Sequence, residues 1–359
     1  MARRQKTDEL NGETKSAGLD DIGFDVFGSE LAIEKFGITD FLSTGSYNLN
    51  RIAGGGLFKG IPTRRITTIA GEEATGKTLF ALCIAREAIK KGYLIVYFDS
   101  ENALTQEFAK NVGVDTTKIL YKQVATIEEL RNGITDITKW KAEKYSEDHH
   151  MLIIVDSFGG LTINKFINDW GEGKDNVDMG LFAKISKASL KLITTYIIPH
   201  NLTIVCTNHL TTDTSGYVPQ KTMTGGRGIF YYSSLIIYLR KAKVKDGDDI
   251  TGINITSQNV KSRVTPPFQT AEIYLDWKHG LSPESGLFDI MLKLGIVREN
   301  GKGWYSVGQS EERVRKGDIE AMLLTNKELI DSLEKKIVEE GFSTITQPLD
   351  NAAGEIQRA

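Results

Sequence analysis

Between about residues 40 and 280, short apolar runs alternate with longer stretches whose hydrophobic positions recur at helical spacing. Runs 151–155 and 202–206 are apolar almost throughout, the pattern of strands covered on both faces. Strands are predicted at 65–70, 94–98, 119–121, 151–155 and 203–207, and helices at 77–91, 127–143 and 179–198. Thr126 and Glu129 make a capping box for the second helix, and Pro199 stops the third. This alternation predicts an α/β fold with a mainly parallel sheet. Three further strands, 234–240, 252–261 and 271–277, have no helices between them and predict an antiparallel extension.

The flanks differ. Residues 1–22 are polar and read as a flexible arm. Residues 28–37 read as one amphipathic helix, capped by Ser29, ended by Gly37, with Leu31, Ile33 and Phe36 on its apolar side. Such a stripe needs a cover, either the chain's own core or a neighbouring subunit. From 284 to 340, short helices (287–294, 318–324, 326–340) surround a Gly-Lys-Gly-Trp-Tyr turn at 301–305, predicting a small α/β or helical domain. Residues 343–359 lack periodicity and are expected to be disordered. The expected division is an arm at 1–40, a core at 41–282, a small domain at 283–342 and a tail at 343–359.

The chain has 359 residues, of which 40% are hydrophobic and 25% charged, the profile of a soluble globular protein. No apolar run approaches a membrane span, and residues 1–16 lack the apolar core of a signal peptide. A cytoplasmic protein with no membrane partner is expected, with Cys83 and Cys206 as buried thiols. Lys plus Arg number 44 against 47 Asp plus Glu, a formal net charge of −3. A globally basic surface is therefore excluded, and any nucleic-acid contact must be concentrated on particular loops.

The strongest chemical signal is Gly71-Glu72-Glu73-Ala74-Thr75-Gly76-Lys77-Thr78, a complete G-x-x-x-x-G-K-[ST] phosphate loop. It follows an apolar run and opens a helix at Lys77–Leu79, the context in which backbone N–H groups and the helix dipole face a phosphate. Lys77 can reach the β- and γ-phosphates, and Thr78 can offer its hydroxyl to Mg²⁺. Asp156, ending the run 152–155, would face the same crevice and support Mg²⁺. A second buried run ends in Asp99-Ser100-Glu101, and either carboxylate could activate water as general base. Asn208 and His209 close the fifth strand, where a polar pair can sense a γ-phosphate. Two long loops, 164–178 and 210–230, leave the same end of the sheet. His149, His150, His200 and His279 read as surface residues.

Together these elements resemble the RecA family of recombinases, most closely its bacteriophage UvsX-type branch. The resemblance runs from about Phe36 to Glu340, through "LSTGSYNLNRIAGGGLFKG" (42–60), "GEEATGKT", "YFDSENAL" (97–104), "LIIVDSFGGL" (152–161), "TNHL" (207–210), "MTGGRGIFYYSS" (223–234), "VKSRVTPPF" (260–268) and "GLFDIMLKLGIV…GKGWYS" (286–306). It implies a RecA-like P-loop ATPase core with a short helical arm and a small C-terminal α/β domain. It further implies a helical filament on single-stranded DNA that hydrolyses ATP with Mg²⁺ and exchanges strands with a homologous duplex. A single-strand-binding protein and a loading mediator would be partners.

The resemblance favours Glu101 over Asp99 as base. Phe108 would pack on adenine, Trp277 would flank it, and Lys261 and Arg263 would reach the nucleotide of the neighbouring subunit. Lys165, Lys174, Met179 and Lys184 around the first loop would meet DNA. So would Lys221, Met223, Thr224, Gly225, Gly226, Arg227, Gly228 and Ile229 in the second, with Met223 or Ile229 wedging between bases. Two departures stand out. His209 stands where cellular members carry glutamine, and histidine titrates near neutrality, so a pH-dependent coupling is expected. Residues 350–359 hold only Asp350 and Glu355 with Arg358, unlike the acidic tail of some members. The rival readings are a RecA-fold hexameric DNA helicase, against which the short N-terminal arm argues, and a non-hydrolysing ATP-binding regulator, against which Glu101 argues.

Overall fold

The computed structural model describes residues 34–174, 179–213 and 220–340, without the side chains of Met179, Asp213, Gln220 and Glu340. The chain divides between Thr39 and Asp40. Of the helix predicted over 28–37, residues 34–36 are helical, Gly37 is the bend that follows them, and 28–33 lie outside the described residues, as does the tail from 341.

In chain order the core begins β1 (Phe41–Leu42), α1 (Tyr47–Gly54), β2 (Ile61–Pro62), β3 (Ile66–Gly71), α2 (Lys77–Lys90), β4 (Leu94–Asp99), α3 (Gln106–Asn111) and β5 (Ile119–Gln123). It continues with α4 (Ile127–Lys144), β6 (Met151–Asp156), α5 (Asn164–Gly171), α6 (Met179–Ile197), β7 (Leu202–Asp213), β8 (Gln220–Met223) and α7 (Arg227–Tyr232). β9 (Leu235–Asp246), β10 (Asp249–Ser262), β11 (Thr270–Asp276) and β12 (Gly280–Leu281) complete it. The C-terminal part holds α8 (Leu287–Lys293), β13 (Val297–Glu299), β14 (Tyr305–Val307), α9 (Lys316–Thr325) and α10 (Lys327–Glu340).

The large sheet runs β12-β11-β10-β9-β3-β7-β6-β4-β5, with β8 added to the far end of β7. From β9 through β3, β7, β6 and β4 to β5 every pairing is parallel, whereas β9 to β12 pair antiparallel. This is the α/β architecture predicted, including its antiparallel extension. Alternation within the strands explains why helices cover both faces. Leu152 and Ile154 of β6 join one core with Leu49 and Ile52 of α1 and Phe80 of α2. Met151, Ile153 and Val155 point the other way, against Ile127 and Leu130 of α4 and Leu190 of α6. The predicted capping box at Thr126 and Glu129 is formed.

A third core gathers Leu57, Leu287, Met291, Ile319, Leu323 and Leu333 in the C-terminal part. The Glu334 carboxylate accepts from the Leu57 amide at 2.5 Å and ties α10 to the turn after α1. The 301–305 turn joins β13 to β14, strands too short for a hydrophobic pattern to reveal.

Two expected loops are structured. Residues 164–171 form α5, supported by the Lys165–Asp169 ion pair at helical spacing. Residues 210–213 prolong β7 and pair antiparallel with β8. Beyond the buried Leu210 the paired segments are mostly polar and exposed, so they carry little hydrophobic signature. Residues 175–178 and 214–219 lie outside the described residues.

Phe80, fully buried beneath the start of α2, couples the loop to the core. Phe80→Ala is expected to cost about 3–5 kcal/mol, read as a lowered urea midpoint at unchanged m-value. Cys83 and Cys206 are buried free thiols, pushed up to about 11 and about 12 by burial. Among the described residues no helix is long and apolar enough to cross a membrane.

Candidate active site

β3 ends at Gly71, and α2 starts at Lys77 with no side-chain cap on its first amides. Gly76 at φ 91° turns the chain into the helix, in a region that suits glycine. Uncapped N–H groups at a helix start suit an anion. Lys77 is only 8% exposed, and its ammonium donates to the carbonyls of Gly71 at 3.2 Å and Glu72 at 2.8 Å. Burial lowers its pKa, with Glu101 and Asp156 pulling the other way. A buried cation beside free amides is what a phosphate would neutralise.

Asp156, at the C-terminal end of β6, is nearly buried among hydroxyls. Its Oδ2 accepts from Thr78 Oγ1 at 2.7 Å and from Tyr97 Oη at 2.6 Å, and its Oδ1 accepts from Thr207 Oγ1. Burial, with the Asp156 charge next, pushes the Tyr97 hydroxyl far above its ordinary range, so it stays a donor. Among the described residues no three His, Cys, Asp or Glu side chains could hold a metal on their own. The Thr78 hydroxyl and Asp156 carboxylate nevertheless fit Mg²⁺, which is commonly bound by one carboxylate together with substrate phosphates.

The two candidate bases have different surroundings. Asp99 is buried, its Oδ1 accepting from the amides of Glu101 and Asn102 at 2.9 and 2.7 Å and its Oδ2 from Leu104 N and Tyr121 Oη, both at 3.2 Å. It shapes the turn. Glu101 points into the cleft, where Oε1 lies 2.6 Å from His209 Nε2 and accepts from Ser157 Oγ. Burial raises its pKa, but those two hydrogen bonds outweigh burial and hold it below the usual carboxylate value.

These groups line a cleft of about 790 Å³, ample for a nucleotide. Glu73, Ala74, Thr75, Gly76, Lys77, Thr78, Leu79, Glu101, Phe108, Asp156, His209 and Trp277 all reach it. Phe108 and Trp277 are 37% and 56% exposed there, available to flank a base. Arg86, Asn111 and His279 also line the cleft and were not foreseen, because no motif marks a wall assembled from separate elements. His279 is exposed and paired with Asp276. The expectation that all histidines except His209 are surface residues needs correction: His149, His150 and His200 are partly buried, and each packs its ring on a tyrosine.

Glu72 does not line the cleft; it pairs with Lys221 of β8. Asn208 is fully buried and bonded to Thr224. Lys261 and Arg263 lie away from the cleft of their own chain. The Lys261 amine caps α7 through the carbonyls of Phe230 at 2.7 Å and Tyr231 at 3.0 Å, while Arg263 is exposed.

Around the expected DNA loops, Lys165 pairs with Asp169, Lys174 pairs with Glu172, and Lys184 is exposed on α6, which Met179 begins. Gly225 and Gly226 form the turn into α7, and Arg227 is exposed at its first position. Gly228 and Ile229 are buried, Ile229 fully, within the core under α6. Ile229 is therefore a packing residue here and not a base wedge. An apolar residue beside a glycine turn carries no sequence mark of which it is. Met223 is half-buried.

A parallel sheet whose β3 runs into a phosphate loop, with β6 and β4 ending in acidic residues at the same edge of the sheet, defines a P-loop nucleoside triphosphatase. A family model described as the RecA N-terminal domain matches residues 28–282. The chain is 33% identical over 312 residues to Protein RecA of Wolinella succinogenes, covering 86% of this chain and 84% of that one. It is 32% identical over 299 residues to Protein RecA of Sulfurimonas denitrificans, covering 82% and 83%. With Protein RecA of Helicobacter pylori it shares 33% over 303 residues, covering 84% and 83%. The chain belongs to the RecA family, DNA-dependent ATPases of recombination and repair.

Proposed function

We propose that the chain is an ATP- and single-stranded-DNA-dependent recombinase that assembles as a helical filament, pairs with a homologous duplex and exchanges strands. The carrying observation is a continuous link: Glu101 in the nucleotide cleft bonds His209, whose neighbour Asn208 bonds Thr224 at the Gly225–Gly226 turn. In this reading the loop amides and Lys77 bind phosphates, Phe108 and Trp277 flank the base, and Glu101 takes the proton of the attacking water. Thr78 and Asp156 would hold Mg²⁺, which supplies charge neutralisation at the phosphates. His209 senses the γ-phosphate. The turn at 224–227 and the basic residues of α5 and α6 meet the DNA backbone without reading bases, as a protein that coats any sequence requires.

Self-association is supported by the edge strand β5, all but Ile119 exposed, beside an apolar groove lined by Leu120, Ile137 and Trp140. The 28–37 helix is the segment we expect to dock on a neighbouring subunit. Lys261 and Arg263 lie away from their own cleft, and in this reading they serve the neighbour's, Arg263 from an exposed position and Lys261 on leaving the α7 carbonyls it caps. Arg263→Ala should then fold normally yet lower hydrolysis even of wild-type subunits in mixed filaments; equal activity in mixtures would remove the trans role.

The division into arm, core, small domain and tail belongs to this reading, as do a cytoplasmic setting and partnership with a single-strand-binding protein and a loader. The phage-type branch rests on His209 and motif likeness, and the bacterial relatives above lend it no support. ATP hydrolysis measured with and without single-stranded DNA tests the whole proposal: strong stimulation is expected, and an unchanged rate would overturn it. Closed rings in electron micrographs, in place of open helices, would favour the helicase.

A further inference from the structure

Ser157 follows Asp156 and is fully buried. Its hydroxyl accepts from the Gly160 amide at 3.1 Å, which leaves its proton for Glu101 Oε1. Its backbone is fixed to Ser100, whose Oγ accepts from Ser157 N at 2.9 Å and donates to Ser157 O at 2.6 Å. His209 Nε2 meets the same Glu101 oxygen at 2.6 Å. One oxygen of the candidate base thus carries two strong donors, one just past the end of β6 and one from within β7.

Donors to a carboxylate stabilise its charged form and make it a poorer proton acceptor. The lowered pKa of Glu101 agrees: burial alone would raise it, and these bonds reverse the sign. A base poised to work needs the opposite. The arrangement is that of a carboxylate at rest.

The second donor is wired to the DNA-facing turn. His209 N donates to Asn208 Oδ1 at 2.8 Å, and His209 O accepts from Thr224 N at 3.1 Å. Asn208 Nδ2 donates to Thr224 O at 3.0 Å, and Thr224 Oγ1 donates to Asn208 Oδ1 at 2.8 Å. The three segments are packed so closely at Gly159 that a Cβ there would lie 2.1 Å from Thr224 Oγ1 and 2.3 Å from Asn208 Oδ1. Thr224 cannot move without carrying Asn208 and His209.

The geometry points to a clamp in which Ser157 and His209 together hold Glu101 at rest; displacement of the 224–226 turn by DNA withdraws His209, lets Glu101 swing off Ser157 and so frees the base from both donors. This deepens the proposed function and rests on Glu101 being the base of that reaction. Ser157 acts through Glu101 and is a positioning residue.

The test is steady-state ATP hydrolysis by Ser157→Ala with and without saturating single-stranded DNA, alongside binding of a fluorescent ATP analogue. The clamp requires DNA-free turnover to rise about tenfold, the size of one charge-assisted hydrogen bond. Nucleotide affinity and the DNA-saturated rate should stay at wild-type values, so the stimulation ratio contracts. DNA-free turnover at or below wild type overturns the clamp. If S157A does not fold, Ser157→Cys, which keeps the size and weakens the donor, must still exceed the wild-type DNA-free rate, and the clamp falls if it does not. The gain must also vanish in the Ser157→Ala/Glu101→Gln double variant; a gain that persists does not pass through Glu101 and overturns the clamp. A wild-type chain with no DNA-stimulated hydrolysis is a separate result, and it is the function itself that then fails.

Discussion

Glu101→Gln is expected to bind ATP within about twofold of wild type and to turn it over about 10²–10⁴-fold more slowly, the range a positioned general base contributes. Glutamine keeps the length of the side chain and an oxygen able to accept from Ser157 and His209, so the cleft should hold its shape. It cannot take a proton from water. Loss of the negative charge also removes repulsion toward an incoming triphosphate, so affinity has no reason to fall. Binding of a fluorescent ATP analogue and release of phosphate, measured on the same preparation, separate the two effects. Near-normal turnover would move the base role to another group; lost binding would make Glu101 a structural residue.

The variant also carries a pH signature. Burial raises the Glu101 pKa, but the bonds from Ser157 and His209 lower it further, so the folded value lies below the unfolded one. A depressed carboxylate adds stability that is complete above its unfolded pKa, about 4.3, and is lost as pH falls through the folded value. Wild type should therefore melt above Glu101→Gln at neutral pH, and the gap should close on acidification through that window. One third of the Glu101 side chain is exposed, so solvent keeps the gap small.

Much of this site was legible in the sequence because its parts sit at the ends of hydrophobic strands. The runs before Gly71, Asp99 and Asp156 betray β3, β4 and β6 by composition alone, and parallel pairing brings their C-terminal ends together. Spacing alone left the choice between Asp99 and Glu101 open, and only the family resemblance favoured Glu101. The choice depends on which carboxylate the following turn consumes, and Asp99 is taken by the amides of Glu101, Asn102 and Leu104. Nor could the sequence show Tyr97 reaching Asp156, since an inward tyrosine in an apolar strand reads as core. The polar strand β8 escaped for a related reason: hydrophobic period reports burial, and it buries little, whereas α5 carries Phe166, Ile167 and Trp170 over only eight residues. Ile229 erred the other way, an apolar residue assigned to DNA because of its neighbours, when α6 already covers it.

Lys77→Met is expected to make the nucleotide-free protein no less stable and to cut its stabilisation by ATP by half or more. The Lys77 side chain is buried, and its ammonium donates to two carbonyls of the loop it serves. Burial lowers its pKa even with Glu101 and Asp156 acting against that, so the charge is held at a cost to the folded chain. Methionine fills the same stem volume without the charge. Melting without ATP should then occur at the wild-type temperature or above it. ATP reverses the order. Charge-assisted bonds of roughly 1.5–3 kcal/mol correspond to a loss of about 10- to 150-fold in affinity when the lysine is removed. At a concentration 100 times its dissociation constant, a ligand stabilises the protein that binds it by about 2.7 kcal/mol. Wild type should gain that much at such an ATP concentration, while the variant gains about 0.3–1.4 kcal/mol. Melting curves that cross on adding ATP identify Lys77 as a residue kept for its ligand. A variant destabilised equally with and without ATP would make it a structural lysine, and the phosphate loop would lose its central cation.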